Sequence, residues 1–217
     1  MEMPSLITLK NGPKMKPTFS VAEMNRRLSL LRTHMAAQDI DAVVLTSIHN
    51  INYYGDFLYC SFGRSYALVV TPATSVLIST NIDGGQGYRR SLGDNLIYTD
   101  WKRDNYLAAL KAVLPDTARR VGIECDHLNL DMMRKFEHAC PAVEWVDIAQ
   151  ATMRMRMIKS PEEIALIRIG AAVADIGGWA CVEAIAEDMT EYEVALAATA
   201  AMVREIALRV PHSELRD

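Results

Sequence analysis

Between Ile169 and Val182 only Asp175 carries a charge, so almost the whole circumference of a helix formed there is apolar, and such a helix is expected to be buried. Its start is marked by Ser160 as N-cap, Pro161 in the first turn, and Glu162 and Glu163 at the positive end of the helix dipole. Upstream of Met153, apolar runs alternate with helical patterns; downstream the chain reads as helix throughout. The apolar part falls short of the roughly 20 residues a bilayer span needs, and it contains Asp175, Gly170, Gly177 and Gly178. The expectation is a first domain over residues 1–155, then over 156–217 a linker and the first two helices of an incomplete second domain. An apolar helix left uncovered this way is also expected to make the chain self-associate.

The first 155 residues alternate strand and helix. Residues 1–19 read as an extended arm. Ser20 and Glu23 form a capping box, followed by Val21, Met24, Leu28, Leu31 and Met35 at helical spacing. The run Ala42 to Leu45 suits a strand covered on both faces. His49 to Arg64 is aromatic, polar and interrupted by Gly55 and Gly63, which predicts a functional loop. Tyr66 to Thr71 and Ser75 to Ser79, joined at Pro72-Ala73-Thr74, predict an antiparallel hairpin, which makes the sheet mixed. Strands near Leu96, Val121 and Val143 alternate with helices from Asn105, Asn129 and Asp147. Together they specify a three-layer α/β domain. Beyond it, Thr190 and Glu193 form a second capping box, and Tyr192, Leu196, Thr199, Val203, Ile206 and Val210 form an expected inward stripe.

A net charge of −4 argues against a general nucleic-acid or anionic-membrane surface. The N-terminus has no continuous apolar core of the secretory kind. Cys60, Cys125, Cys140 and Cys181 lack Cys-x-x-Cys spacing, which favours reduced thiols in a cytoplasmic protein.

Few residues suggest chemistry. Gly84-Gly85-Gln86-Gly87 follows a strand and opens a helix but has the spacing of neither known phosphate loop, so a plain turn is favoured. Cys125-Asp126-His127 cannot all face one metal. His49 is the histidine best placed for function, a structural hydrogen bond being its other reading. No nucleophile elbow, zinc-protease pair or spaced carboxylate set is present. The remaining constellation is Phe62 and Arg64, alternate residues that can project to one side of extended backbone. Arg64 can take a carboxylate bidentately and Phe62 can cover a planar or cationic group. An aromatic core residue beside a surface arginine is the competing reading.

The runs His49 to Tyr54, Asp56 to Arg64, Asn81 to Gly85, Tyr98 to Trp101, Arg103 to Tyr106, Asp126 to Leu130 and Met153 to Ser160 resemble the creatinases, the creatine amidinohydrolases, within the wider aminopeptidase P and prolidase superfamily. The resemblance covers residues 1 to about 205. It implies a creatinase/prolidase-type N-terminal α/β domain followed by the first helices of a truncated pita-bread domain. It implies hydrolysis of creatine to sarcosine and urea, or the equivalent cleavage of a similar guanidino acid, without metal or other cofactor. It further implies a homodimer in which Phe62 packs on the substrate and Arg64 pairs with its carboxylate, while the catalytic histidine and carboxylates lie downstream of this chain. On that basis the 217 residues alone are expected to be inactive. A related amidino or amide hydrolase and a non-catalytic dimerisation or binding module are the alternatives.

Overall fold

The computed structural model describes residues 3–59, 63–102 and 104–211, which form two compact units, Met1–Ile158 and Lys159–Asp217.

In the first unit, strands β1 (Leu6–Ile7), β2 (Ala42–Leu45), β3 (Ala67–Val70), β4 (Ser75–Thr80), β5 (Asp94–Tyr98), β6 (Arg120–Ile123) and β7 (Glu144–Asp147) make one sheet in the order β1-β5-β4-β3-β2-β6-β7. β4 runs parallel to β5, and β2, β6 and β7 are mutually parallel neighbours. β3 is antiparallel to both β2 and β4, and β1 is antiparallel to β5. The sheet is therefore mixed, and the β3–β4 hairpin at Pro72 contributes to this as the sequence predicts, with β1 adding a further antiparallel pairing.

Successive strand residues point to opposite faces, and each face has its own core. Val43, Leu45, Leu68 and Val70 meet α1 (Val21–Ala37), α2 (Ile48–Gly55) and the start of α6 (Ala149–Met157) through Leu28, Leu31, Met35, Ile51, Tyr54 and Ile148. On the other face Ala42, Val44, Val69, Val121 and Ile123 meet α4 (Asn105–Val113) and α5 (Leu130–Ala139) through Tyr106, Ala109, Leu110 and Phe136. This is the three-layer arrangement that alternating elements require.

Two elements depart from the sequence reading. The arm is not merely extended, because Leu6 and Ile7 pair with Tyr98 and Ile97 as an edge strand. His49 to Gly55 is helix rather than loop: the Ser47 hydroxyl accepts from Asn50 N, and Ile51, Tyr53 and Tyr54 are buried. Capping by serine and an aromatic inner face outweigh the polar composition that suggested irregularity.

The arm then returns along α3 (Gln86–Arg90), where Lys14 Nζ donates to the carbonyls of Tyr88, Ser91 and Gly93 at 3.0, 2.8 and 2.6 Å and so satisfies a helix C-terminus. At the head of α3, Gly85 has φ +87°, and a Cβ there would run into the Asn11 side chain, which itself donates to Gly84 O at 3.2 Å. Gly85→Ala is expected to lower stability by about 1–2 kcal/mol through left-handed strain and a displaced arm. Denaturant midpoints would measure the loss, and increased proteolysis between residues 8 and 18 would locate it; an unchanged midpoint would count against the arm's docking.

The second unit is a helix pair, α7 (Pro161–Ala184) and α8 (Glu191–Arg209), each begun by the expected capping box, Ser160 with Glu163 and Thr190 with Glu193. Close approach is made at Gly177, where a Cβ would lie 2.6 Å from Met202. The inward face of α8 is offset from the expected stripe. Tyr192, Leu196 and Val203 are exposed, whereas Ala197, Ala198, Ala201, Met202 and Ile206 are partly covered. Small alanines let the helices approach where larger side chains would hold them apart. Only Glu163, Val173 and Gly177 are buried on α7, because one partner helix covers one side of an all-round apolar cylinder. At 24 residues α7 is also long and apolar enough, by length and composition, to cross a membrane, contrary to the shorter apolar length read from the sequence.

Candidate functional site

β2, β4, β5, β6 and β7 all point the same way, so the segments that follow them gather along one edge of the sheet, joined there by the residues that enter β3. Outside the carboxyl ends of strands is where open α/β sheets place ligands. Two polar clusters occupy this edge.

The first is built on Glu124, 2% exposed, just past β6. Its Oε2 accepts from the backbone N–H groups of Thr46 and Ser47 at 2.5 and 2.9 Å. Its Oε1 accepts from Ser47 Oγ and Asn50 Nδ2 at 2.5 and 2.6 Å. The carboxylate thus ties the exit of β2 and the first turn of α2 to β6, and Asn50 extends the link to Thr152 of α6 at 3.2 Å. A carboxylate at a helix N-terminus is also favoured by the dipole. Thr46 Oγ1 meets His127 Nδ1 at 3.0 Å, and Thr46 O accepts from Tyr59 OH at 3.0 Å.

The second cluster surrounds Arg64. Tyr59 stacks on Tyr66 with ring centroids 4.3 Å apart and planes 19° from parallel. Burial raises the Tyr59 and Tyr98 hydroxyls and Asp83 above their ordinary values, so both tyrosines remain neutral hydrogen-bonding groups near neutral pH. Tyr66 OH donates to Asp83 Oδ1 at 3.1 Å, and Tyr98 OH accepts from Ser65 N at 3.2 Å. Gly63, at φ +65°, leads into Arg64. The Arg64 side chain is 42% exposed; its Nε donates to Asp100 Oδ2 at 2.9 Å, and Nη2 lies 2.9 Å from the same oxygen in an ion pair. That contact uses one edge of the guanidinium and leaves the Nη1–Nη2 edge for another acceptor. Ile82 and Trp101, 70% and 51% exposed, flank Asn81 and Asp100.

Of the sequence-derived candidates, Arg64 therefore stands on this edge, partly exposed and paired with Asp100. Phe62 lies outside the described residues, as does its expected alignment with Arg64. His49 is on the exposed side of α2 and not in a loop. Arg90 bonds Gln86 Oε1 at 2.8 Å, in keeping with a turn-and-helix role for the glycine-rich run. Among the described residues no three His, Cys, Asp or Glu side chains come together as metal ligands. Glu124 and Asp100 were not singled out from sequence. A carboxylate directly after the apolar run Val121 to Ile123 was the available signal for Glu124; nothing local marks Asp100.

Residues 27–158 match the creatinase/prolidase N-terminal domain family. The chain belongs to this family. The creatinase of Bacillus sp. (strain B-0618) is 58% identical over 214 residues, covering 97% of this chain and 52% of that protein. The chain spans about half the length of the curated relatives it matches. Among solved structures, the X-Pro aminopeptidase of Thermotoga maritima MSB8 superimposes with a TM-score of 0.72 at 18% identity over 82% of this chain and 49% of that one. The prolidase of Pyrococcus furiosus gives 0.67 at 22% identity over 82% and 52%. These likenesses fix the creatinase/prolidase fold, with this chain corresponding to about half of each neighbour.

Proposed function

We propose that this chain is the amino-terminal part of a creatinase-type hydrolase that converts creatine and water to sarcosine and urea. In this reading it supplies substrate contacts and a dimer surface, not the groups that break the C–N bond. Arg64 holds the substrate carboxylate and Phe62 covers the substrate, while the acid–base and guanidinium-binding groups come from a further domain. The observation that carries the reading is 58% identity to a creatinase along 97% of the chain. The half-free guanidinium of Arg64 at the carboxyl edge of the sheet is chemically suited to a small amphoteric acid. The exposed apolar residues of α7 and α8, Ile164, Ile167, Trp179, Tyr192 and Leu196 among them, suit burial within that further domain or against a second copy of the chain.

Arg64→Ala in the intact enzyme should lower kcat/KM for creatine about ten- to a hundredfold, the loss of one charge-assisted hydrogen-bonding pair. Steady-state assays across a panel of guanidino acids should show creatine preferred, and the 217 residues alone should show no turnover. Unchanged kinetics after Arg64→Ala, or a clear preference for a substrate lacking a carboxylate, would remove the assignment.

A further inference from the structure

We propose that Asp100 is a positioning residue that fixes the plane of the Arg64 guanidinium, leaving its Nη1–Nη2 edge to take the substrate's carboxylate. The inference rests on the reading of Arg64 as the carboxylate clamp and adds the residue that aims it. Asp100 follows β5 and Arg64 precedes β3, so the two meet across the end of the intervening strand β4. Arg64 contributes a long, rotamer-rich side chain; Asp100 contributes a short one on an anchored backbone.

That anchoring is the central observation. Asp100 N donates to Asn81 Oδ1 at 3.2 Å, which ties it to the exit of β4. The preceding Thr99 donates from N to Ser5 O at 2.9 Å and from Oγ1 to Pro4 O at 2.6 Å, which ties it to the arm. Asn105 Nδ2 donates to Thr99 O at 2.7 Å inside the buried start of α4. Three separate parts of the fold thus hold the residue that holds Arg64. A carboxylate meant to give way to the substrate would be better placed on a loose loop. One built into a braced shelf restricts the guanidinium before the substrate arrives, as supporting groups do around other binding sites. Because a guanidinium is planar, fixing its Nε–Nη2 side sets the direction of the remaining edge. The pair itself is solvent-exposed, with side-chain exposures of 42% and 26%, so its loss should leave folding nearly unchanged.

The test uses the intact enzyme with Asp100→Ala, Asp100→Asn, Arg64→Ala and the Arg64→Ala/Asp100→Ala double variant. Asp100→Ala should raise KM for creatine about tenfold with kcat within about twofold, the signature of lost ground-state binding. Asp100→Asn, whose amide oxygen can still accept from Nε, should recover part of that loss. Inhibition by methylguanidine, which has no carboxylate, should not change. The double variant should be no worse than Arg64→Ala, because Asp100 acts only through Arg64. If Arg64→Ala is damaging but Asp100→Ala leaves KM unchanged or lowers it, Asp100 is a bystander or a competitor and the proposal fails while the clamp stands. If Arg64→Ala itself has no effect, the clamp reading fails and takes the positioning role with it.

Discussion

Replacing Glu124 by alanine is expected to destabilise the first unit by about 4 kcal/mol, because it removes the shared acceptor of several buried donors. Four donors converge on this carboxylate: Thr46 N, Ser47 N, Ser47 Oγ and Asn50 Nδ2. Any one neutral hydrogen bond contributes only about 1 kcal/mol net, yet donors left unpaired in a dry interior each lose their hydration. Glu124→Gln is the sharper variant. It preserves volume but turns an NH2 group toward donors, so a substantial part of the loss should remain despite the nearly identical shape. Urea unfolding followed by circular dichroism would measure both. A loss below about 1 kcal/mol for Glu124→Ala would mean that water replaces the carboxylate at little cost, and that the link between β2, β6 and α2 is dispensable.

Glu124 also shows where sequence reading stops. Periodicity located the buried strands β2 and β3, the α1 face with Met24, Leu28, Leu31 and Met35, and the α7 and α8 starts, because capping and alternation act over a few residues. It could not pair Glu124 with Ser47 and Asn50, which lie more than seventy positions away, nor Arg64 with Asp100 at a separation of 36. Those contacts exist only after the sheet order brings the strand ends together. β1 was missed for a related reason. Two residues carry no period, and their place at the edge is set by backbone bonding to β5. The aromatic stretch from His49 was misread because Tyr53 and Tyr54 serve as the inner face of a helix as readily as the lining of a loop. Arg64 was singled out by its chemistry and by the creatinase resemblance, whereas its pairing with Asp100 carried no local signal.

Arg27→Ala should cost about as much as the loss of Glu124, on the order of 3–5 kcal/mol, since it empties a filled and charged site beneath the same α2 helix. Arg27 is 2% exposed. Its guanidinium lies between the rings of Phe19 and Tyr53, with centroid distances of 4.1 and 4.2 Å. It also donates to Glu23 Oε1 at 2.8 Å and to Tyr53 O at 3.0 Å. The cluster joins α1 to α2 by cation–π contact and an ion pair at once. Arg26 completes it from the other side of Glu23 at 2.7 Å. Hydrogen bonding from Arg26, with Arg27 adding to it against the opposing effect of burial, holds Glu23 at about 2 in place of its ordinary 4.5. A carboxyl group depressed in the folded state stabilises fully above its unfolded value, and that contribution is lost as pH falls through the folded one. Stability from Glu23 should therefore be level above about pH 4.5 and decline by as much as about 3 kcal/mol toward pH 2. Glu23→Gln should remove that part of the acid dependence, whereas Arg27→Lys keeps a charge but not the planar group sandwiched by the rings, and should recover only a fraction of the Arg27→Ala loss. Identical acid slopes in the wild type and Glu23→Gln would place the titration elsewhere. Full recovery by Arg27→Lys would show that charge alone, without ring stacking, joins the two helices.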